Sequence, residues 1–339
     1  MNEKEKQLWL ELYEIAEKVK ELAPWKYFYD LDLLTYMSDK YKSTFYCSVM
    51  GKAGLHKALA IYEEEQVDGF FALAENKYPS YILASYQECI SCNFLSKNDT
   101  LPENQKLIKE LGLRFRGTWI SFENFEKGYV PSTINIKQVE KMIDVLQNFY
   151  SMLKNLIEHE IKVDFENGFT FYRYYDSKQK AYIDSEKPLL VPKKYYDTIS
   201  VNDEIIKYMK DIPHTNMELE YDFLHYLPLS IKSKNKGGRY YYPRARFMAE
   251  RKSGLIVMND IKNQDDYADQ KDYIIESIIK LQKYFEQHGI PKTIYVRNEE
   301  SKMFLNEFAD KLSFTLKVNP KLKAIDRACE MMLRGFMGR

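Results

Sequence analysis

Residues 246–259 read RFMAERKSGLIVMN, and this stretch decides the fold expected for the last third of the chain. Two runs rich in apolar residues, 246–250 and 255–259, flank the short connection Lys252-Ser-Gly254. Glycine at that connection can adopt the positive φ that a tight turn requires. The stretch therefore predicts a β-hairpin.

Downstream of the hairpin, helical and extended patterns alternate. The predicted elements are a helix at 269–285, a strand at 293–297, a helix at 300–311 and a strand at 314–318. Gly289 and Pro291 predict the end of the first of these helices. With a strand at 218–226 ahead and a helix at 321–333 behind, the order becomes β-β-β-α-β-α-β-α, which predicts a mixed α/β domain.

The length of 339 residues predicts two domains, because a single hydrophobic core rarely serves so long a chain. We expect an N-terminal α+β domain at 1–165, a connecting hairpin and linker at 166–216, and the α/β domain at 217–339. The net charge of zero conceals a division, because residues 217–339 carry 22 Lys and Arg against 17 Asp and Glu, and the rest of the chain carries the opposite excess.

In the N-terminal domain we expect an antiparallel sheet with packed helices. The sheet is assembled from strands predicted at 33–37, 44–50 and 57–62. Apolar residues at alternating spacings of three and four from Leu8 to Leu22 predict an amphipathic helix, and a second, longer one is predicted at 136–161. No apolar run approaches a membrane span, and the N-terminus has no apolar segment of signal-peptide type, so we expect a cytoplasmic protein without membrane contact.

The order of the C-terminal elements, together with residues 289–297, GIPKTIYVR, resembles the RNase H-like (retroviral integrase-like) domain at the passage from a helix into the fourth strand. The whole chain resembles two-domain bacterial proteins built from two domains of unknown function. That second resemblance lies in 22–25 (LAPW), 46–51 (YCSVMG) and 242–244 (YPR), and it implies no activity.

The RNase H-like resemblance implies positions for a metal site, because those nucleases use carboxylates to hold two metal ions at the phosphate. The candidate ligands are Asp222, Glu276, Glu299 and Asp326. At the end of the fourth strand, however, the chain has Arg297-Asn298 instead of an acid. A guanidinium there would repel metal cations and compete for the carboxylates, so we expect a degenerate domain without catalytic activity. An active magnesium-dependent nuclease is the alternative, and solvated surface charges are the structural interpretation of the four acids.

Residues 237–246, GGRYYYPRAR, interleave arginine with tyrosine, as a surface for nucleic acid does when it combines phosphate neutralisation with base stacking. The candidate contact residues are Arg239, Tyr240, Tyr242, Arg244, Arg246 and, from the fourth strand, Arg297. In the structural alternative, the tyrosines form the buried face of a strand and the arginines pair with acids at 260–272.

Motifs for other chemistry are weak or missing from the sequence. Cys89 and Cys92 form a single C-x-x-C without a second pair or a suitably spaced histidine, so we predict two half-buried residues at a helix end and no metal or other cofactor. Cys47 is likewise predicted to be an ordinary core cysteine, although His56 follows nearby in the sequence. The chain contains no P-loop, dinucleotide, zincin or nucleophile-elbow motif.

These observations favour a non-catalytic binding or interaction protein, whose partner is nucleic acid or another protein at the basic, tyrosine-rich hairpin. A third hypothesis gives the N-terminal domain the function, as a binder of a peptide or small ligand in a pocket lined by Trp25, Tyr29 and Trp119. Its alternative is that these aromatic residues belong to the core.

Overall fold

The computed structural model describes residues 1–54, 56–194, 196, 198–234, 238–267 and 269–337, without the side chains of 84–86, 336 and 337. The chain divides into two compact units. The first comprises Met1–Ala74, Gln87–Lys127 and Pro131–Lys193. The second comprises the described residues of Glu75–Tyr86, Gly128–Val130 and Lys194–Arg339.

Helices and strands alternate along both units. The helices are α1 (Glu3–Leu22), α2 (Asp68–Ala74), α3 (Ser80–Tyr86), α4 (Pro102–Glu110), α5 (Ile136–Glu158), α6 (Asp203–Met209), α7 (Gln270–His288), α8 (Glu299–Leu312) and α9 (Lys323–Met337). The strands are β1 (Leu34–Ser38), β2 (Ser43–Met50), β3 (Ala58–Glu63), β4 (Cys89–Leu95), β5 (Trp119–Phe125), β6 (Ser132–Thr133), β7 (Phe169–Asp176), β8 (Ala181–Pro188), β9 (Glu218–Tyr226), β10 (Ile231–Lys232), β11 (Tyr240–Tyr241), β12 (Arg244–Glu250), β13 (Ile256–Lys262), β14 (Thr293–Val296) and β15 (Thr315–Val318). Within the described chain, no helix has the length and apolar character needed to cross a membrane.

The first unit is built on a sheet with the strand order β6-β5-β4-β3-β2-β1-β7-β8. Its neighbouring strands run antiparallel, as predicted, except that β7 runs parallel to β1, with Leu34 opposite Phe171. The hairpin β7–β8 falls within 166–216, where the sequence predicts a connection between the domains. Instead, its pairing with β1 makes it the edge of this sheet.

Two helices cover one face of this sheet. The apolar stripe of α1, with Leu12 and Val19, shares a buried cluster with Leu146 and Phe149 of α5 and with Phe94 of β4. The pairing of these two stripes confirms that the helical periodicity of the sequence marks buried faces. This cluster is the main hydrophobic core of the first unit.

Both long helices begin at an asparagine that closes a capping box. The side chain of Asn2 accepts from the amide of Glu5, and the Glu5 carboxylate accepts from the amide of Asn2. Asn135 and Gln138 make the same reciprocal pair at the start of α5. These bonds satisfy amides that have no partner inside the helix, so the sequence fixes where each helix starts.

The second unit contains a sheet with the strand order β13-β12-β9-β14-β15. The strand β12 runs antiparallel to both neighbours, whereas β9, β14 and β15 are mutually parallel. Around this sheet the elements follow the predicted order β-β-β-α-β-α-β-α, with the short pair β10–β11 inserted after β9. The fold class is therefore mixed α and β, as predicted.

Helices cover both faces of this second sheet. On one face, Ile278 of α7 and Phe308 of α8 pack with Tyr221 and Ile294 of the central strands. On the other face, residues of α9 pack against β12 in a separate cluster that contains Ile325, Cys329, Ala245 and Phe247. The central strand β9 is therefore buried on both sides, in agreement with its burial along nearly its whole length.

Gly289 ends α7 in a conformation that requires glycine. Its φ is +86°, and its amide donates to the carbonyl of Phe285 at 2.8 Å. A Cβ atom at this position would lie 2.6 Å from Cγ2 of Thr215 and 2.8 Å from the carbonyl oxygen of Pro213. Both the backbone angle and the close approach of the chain before β9 therefore exclude a larger residue.

We expect Gly289→Ala to lower the free energy of unfolding by about 2 to 4 kcal/mol, because strain and a backbone clash add together. Gly254→Ala is the matched control, since its φ is +75° but nothing lies near the position of its Cβ. The control should cost only about 1 kcal/mol. Urea denaturation of both variants measures the difference, and equal losses would contradict the role assigned to the clash.

Candidate functional site

The guanidinium of Arg297 lies between two carboxylates in the second unit. Arg297 follows the last residue of β14, Asp222 lies on the neighbouring strand β9, and Asp326 lies in the first turn of α9. Nε of Arg297 donates to Asp222 at 2.5 Å, and Nη2 donates to Asp326 at 2.7 Å. Nη1 donates to the carbonyl of Pro320 at 2.8 Å. The side chain of Arg297 is only 1% exposed, so these bonds replace the water that the charge would otherwise bind.

The charges of this cluster stabilise one another. Burial alone would raise the pKa of Asp222, but the charge of Arg297 and the hydrogen bonds from His225 and Arg297 outweigh it, and the pKa falls to about 2. Burial alone would lower the pKa of Arg297, but Asp222 and Asp326 raise it above its ordinary value. The cluster therefore holds one cation and two anions in the protein interior.

Two further side chains complete the cluster. Nδ1 of His225 lies 3.3 Å from Asp222, and the hydroxyl of Tyr81, on α3, donates to Asp326 at 3.0 Å. The Tyr81 ring lies 5.3 Å from the imidazole of His225, centroid to centroid. The sequence offered a weak signal for His225, three residues after Asp222 on the strand, but none for Tyr81, which is distant in the chain.

The strand β9 also holds the start of α9. The carboxylate of Glu220 accepts from the amides of Ala324 and Ile325, at 2.9 and 3.3 Å. A carboxylate at a helix N-terminus satisfies free amides and interacts favourably with the helix dipole. Glu220 therefore binds α9 directly, whereas Asp222, two residues later on β9, binds Arg297, which contacts α9 through Asp326.

The four acids proposed as metal ligands do not form one cluster. Asp222 and Asp326 share Arg297, whereas Glu276 on α7 accepts from Tyr267 and lies 3.5 Å from Arg246. Glu299, in the first turn of α8, lies 3.8 Å from Lys302. Among the described residues, no group of three or more His, Cys, Asp or Glu side chains is arranged to hold a metal ion.

Two of the arginines proposed to contact nucleic acid are buried, which corrects that prediction for Arg246 and Arg297. Arg246 is 0% exposed, and its guanidinium donates to Asp260 at 2.7 Å and to Ser277 at 2.9 Å. Neither guanidinium is on the surface, so neither can neutralise a phosphate. Arg246 pairs with Asp260, in agreement with the structural alternative, which predicted that the arginines pair with acids at 260–272.

The other proposed contact residues are Arg239, Tyr240, Tyr242 and Arg244, and the structure adds Tyr129 beside them. We call these five residues the tyrosine–arginine surface. The guanidinium of Arg239 lies 4.0 Å from the centroid of the Tyr129 ring, and 48% of Tyr240 is exposed. Residues 128–130 pair with the strand here, because the amide of Val130 donates to Tyr240 at 3.2 Å and that of Tyr242 donates to Gly128 at 2.8 Å. Gly237, the first residue of the stretch 237–246, lies outside the described residues.

Arg244 contributes a partly exposed cation flanked by rings. Its guanidinium lies 5.1 Å from the centroid of Tyr226 and 4.9 Å from that of Tyr273. Acidic groups lie nearby, because Asp265 accepts from the hydroxyl of Ser233 and from the amide of Lys234. The tyrosine–arginine surface is therefore cationic and aromatic, but its charge is partly balanced.

The cysteines of the C-x-x-C motif lie on a strand and not at a helix end. Cys89 belongs to a small cluster with Tyr62 and Phe70, whereas Cys92 belongs to the main core of the first unit. Because residues three apart on β4 point to opposite faces of the sheet, their thiols cannot share a metal ion. Burial also raises the pKa of both thiols, which disfavours the reactive thiolate.

The aromatic residues proposed to line an N-terminal pocket have different neighbours. Trp25 packs on Phe94, with 5.1 Å between centroids, and Trp119 packs on Phe115 at 6.0 Å. The Tyr29 ring is covered by the ammonium of Lys52, 3.8 Å from its centroid. Trp25 and Trp119 are thus partly buried residues at the edge of the core, as the alternative interpretation held.

Comparison with known families also divides the chain into two parts, although the first match ends within β7 and includes the segments Glu75–Tyr86 and Gly128–Val130 of the second unit. Residues 9–173 match a family model described as "Domain of unknown function (DUF7309)", and residues 205–333 match a second described as "Domain of unknown function (DUF6930)". The chain is therefore a two-domain protein in which each part corresponds to a domain family of unknown function. No curated protein and no solved structure matches the chain.

The pH dependence of stability tests the buried cluster. Because the pKa of Asp222 is lower in the folded protein than its ordinary 3.8, this carboxylate contributes stability above about pH 4, which is lost as the pH falls towards 2. The shift corresponds to about 2 kcal/mol. We expect Asp222→Asn to be less stable than the wild type at neutral pH and to lose less of its stability between pH 4 and pH 2.

Urea denaturation at a series of pH values measures this difference. Glu299→Gln is the control, because Glu299 is an exposed acid of the same unit, and this variant should keep the wild-type dependence. Parallel curves for the wild type and Asp222→Asn would contradict the low pKa of Asp222.

Proposed function

We propose that this protein is a non-catalytic cytoplasmic binding protein, whose second unit is an RNase H-like domain with an arginine in place of a metal site. The order β-β-β-α-β-α-β-α supports the RNase H-like assignment, as do three antiparallel strands followed by two parallel ones that are connected through helices. The proposal assigns this unit a role in recognition rather than hydrolysis.

The observation that carries the proposal is the position of the Arg297 guanidinium between Asp222 and Asp326. A two-metal nuclease needs carboxylates that are free to bind cations beside the phosphate. Here one oxygen of each carboxylate accepts from the arginine, which supplies the positive charge that metal ions would otherwise bring. A metal ion would have to displace a buried guanidinium and leave it without a counterion, which costs several kcal/mol.

The alternative, a metal-dependent nuclease, would use the four acids Asp222, Glu276, Glu299 and Asp326. Their geometry weakens this alternative. Asp222 and Asp326 contact Arg297, whereas Glu276 contacts Arg246 and Glu299 contacts Lys302. Magnesium would be the required cofactor under this alternative and has no role in the binding protein that we propose.

For the binding surface we propose the tyrosine–arginine surface, with single-stranded nucleic acid as its partner. Arginine cations neutralise phosphates, and exposed tyrosine rings stack on unpaired bases without strong sequence preference. Tyr240 and Arg244 support this proposal, because Tyr240 is 48% exposed and Arg244 is a partly exposed residue. Arg239 is also a partly exposed residue, although its Nε and Nη2 atoms are buried. The buried Arg246 and Arg297 are excluded from it.

A cleavage assay tests the absence of catalysis. Labelled single-stranded and double-stranded oligonucleotides are incubated with the protein over a titration of magnesium or manganese. We expect no cleavage by the wild type beyond that seen with Asp222→Asn, which lacks one of the two carboxylates at Arg297. Metal-dependent cleavage by the wild type that Asp222→Asn abolishes would overturn the proposal, and this comparison excludes a contaminating nuclease.

A salt series tests the binding surface. Fluorescence anisotropy with a labelled single strand gives the affinity at each salt concentration. We expect the double variant Arg239→Ala with Arg244→Ala to bind more weakly and to reduce the slope of log affinity against log salt by about 1.4, roughly 0.7 for each lost contact with a single-strand phosphate.

The matched control is Lys283→Ala with Lys292→Ala, which removes two exposed cations elsewhere in the same unit. This control should leave the affinity and the slope near those of the wild type. If the two double variants behave alike, or if no strand binds at low salt, the tyrosine–arginine surface is not a nucleic-acid site.

A further inference from the structure

The first unit contains a cavity of about 830 Å³ at the ends of β3, β4 and β5. Its walls include Glu123 and Phe125 of β5, Asn93 and Leu95 of β4, and His56 and Asp99 from the adjoining loops. None of Trp25, Tyr29 and Trp119 is among its lining residues. Its volume lies within the range of pockets that hold small organic molecules.

Glu123 is the unusual group in this wall. It is only 9% exposed, and among the described residues no lysine or arginine forms an ion pair with it. Burial raises the pKa of Glu123, and the nearby His56 and a hydrogen bond from Asn93 only partly oppose that effect. A buried carboxylate without a full counterion costs free energy, which a bound cation can recover.

The neighbouring side chains add unsatisfied polar groups. In the register of β4 and β5, Ser91 lies opposite Glu123 and Asn93 lies opposite Ser121. Both serine hydroxyls are buried, and neither has a hydrogen-bond partner within the described structure. Buried polar atoms are nearly always paired in folded proteins, so this polar patch on the sheet beside the cavity is itself unusual.

The charges at the cavity favour a cationic ligand over an anionic one. Two carboxylates, Glu123 and Asp99, line its wall. The ammonium of Lys57, which also lines it, lies over the Trp25 ring, 5.2 Å from the centroid. The imidazole of His56 is bonded to Asn93, with 3.3 Å between Nε2 and Oδ1. Glu123 is therefore the group with the least compensated charge.

The apolar part of the wall limits the kind of cation. Leu95 and Phe125 lie on the same face of the sheet as Asn93 and Glu123, because residues two apart on a strand share a face. Phe125, two residues after Glu123, is the apolar neighbour of the carboxylate on this face, whereas Leu95 lies opposite Trp119, at the far end of the ladder. An aliphatic or aromatic body can therefore contact Phe125 while its charged end reaches Glu123. A metal ion would need several ligands, and no group of three or more His, Cys, Asp or Glu side chains is placed to hold one in the described part of the chain.

We propose that this cavity binds a small primary amine with an apolar body, whose ammonium pairs with Glu123 and whose body contacts Phe125. The ammonium would replace the missing counterion and provide three donors for the carboxylate and nearby oxygens. This site lies in the first unit and is independent of the proposed role of the second.

Calorimetric titration of the full chain with benzylamine and with benzyl alcohol tests the proposal. The two probes share the apolar body and differ in charge. We expect benzylamine to bind saturably at one site and benzyl alcohol to bind about tenfold more weakly, because the ammonium makes charge-assisted hydrogen bonds to a carboxylate that is already buried, whereas the alcohol makes neutral ones.

Two variants locate the site. Glu123→Gln should weaken benzylamine binding by about tenfold or more, whereas Asp99→Asn, which neutralises an exposed carboxylate of the same cavity, should change it by less than about twofold. Thermal unfolding of both variants without ligand verifies that they fold.

Equal affinity for the two probes, no benzylamine binding, or unchanged binding by a folded Glu123→Gln would each overturn the proposal. The contrast between amine and alcohol is measured on the wild type, so it decides the matter even if Glu123→Gln does not fold.

Discussion

A single guanidinium, that of Arg297, neutralises two carboxylates inside the second unit, and the arrangement of three elements depends on it. It connects the end of β14 to the middle of β9 through Asp222 and to the first turn of α9 through Asp326. Glu220, two residues before Asp222 on β9, also holds α9, because its carboxylate accepts from the amide of Ala324. The position of α9 on this face of the sheet is thus fixed by charge as well as by its apolar contacts.

An arginine in this position changes what the fold can do. Asp222, 1% exposed, lies on the central strand of the sheet, and the protein surrounds it with Arg297 and His225. A fold of this kind can host many activities, so the side chains at the site and not the topology decide the chemistry. Here one guanidinium joins two carboxylates in a buried network, in which Oδ1 of Asp222 and Nε2 of His225 have no hydrogen-bond partner among the described residues.

Much of the architecture could be predicted from the sequence because local patterns encode it. The hairpin at 246–259, the helix stop at Gly289 and the stripes of α1 and α5 all follow from periodicity and turn chemistry. The alternation of polar and apolar residues along a strand does not encode which strands pair, so the parallel pairing of β7 with β1 was not predicted. Burial of a charge is equally hidden: Arg246 and Arg244 are two residues apart in one strand, but one is buried against Asp260 and the other is partly exposed. The cluster around Arg297 includes Tyr81, which no local sequence pattern connects to Asp326. The cavity depends on Glu123, and the sequence does not show that the fold buries this carboxylate without a lysine or arginine as its ion-pair partner.

The division of the chain between the two units has a practical consequence for anyone who wishes to produce them separately. Because Glu75–Tyr86 and Gly128–Val130 belong to the second unit while their flanking residues belong to the first, no single cut yields both units whole. An expression fragment that starts at Lys194 would carry Asp326 without the hydroxyl of Tyr81, and Tyr240 without the backbone partner that Val130 provides. Such a fragment would expose the backbone groups that residues 128–130 pair with in the full chain. Its behaviour would therefore reflect the truncation as well as the fold of the second unit.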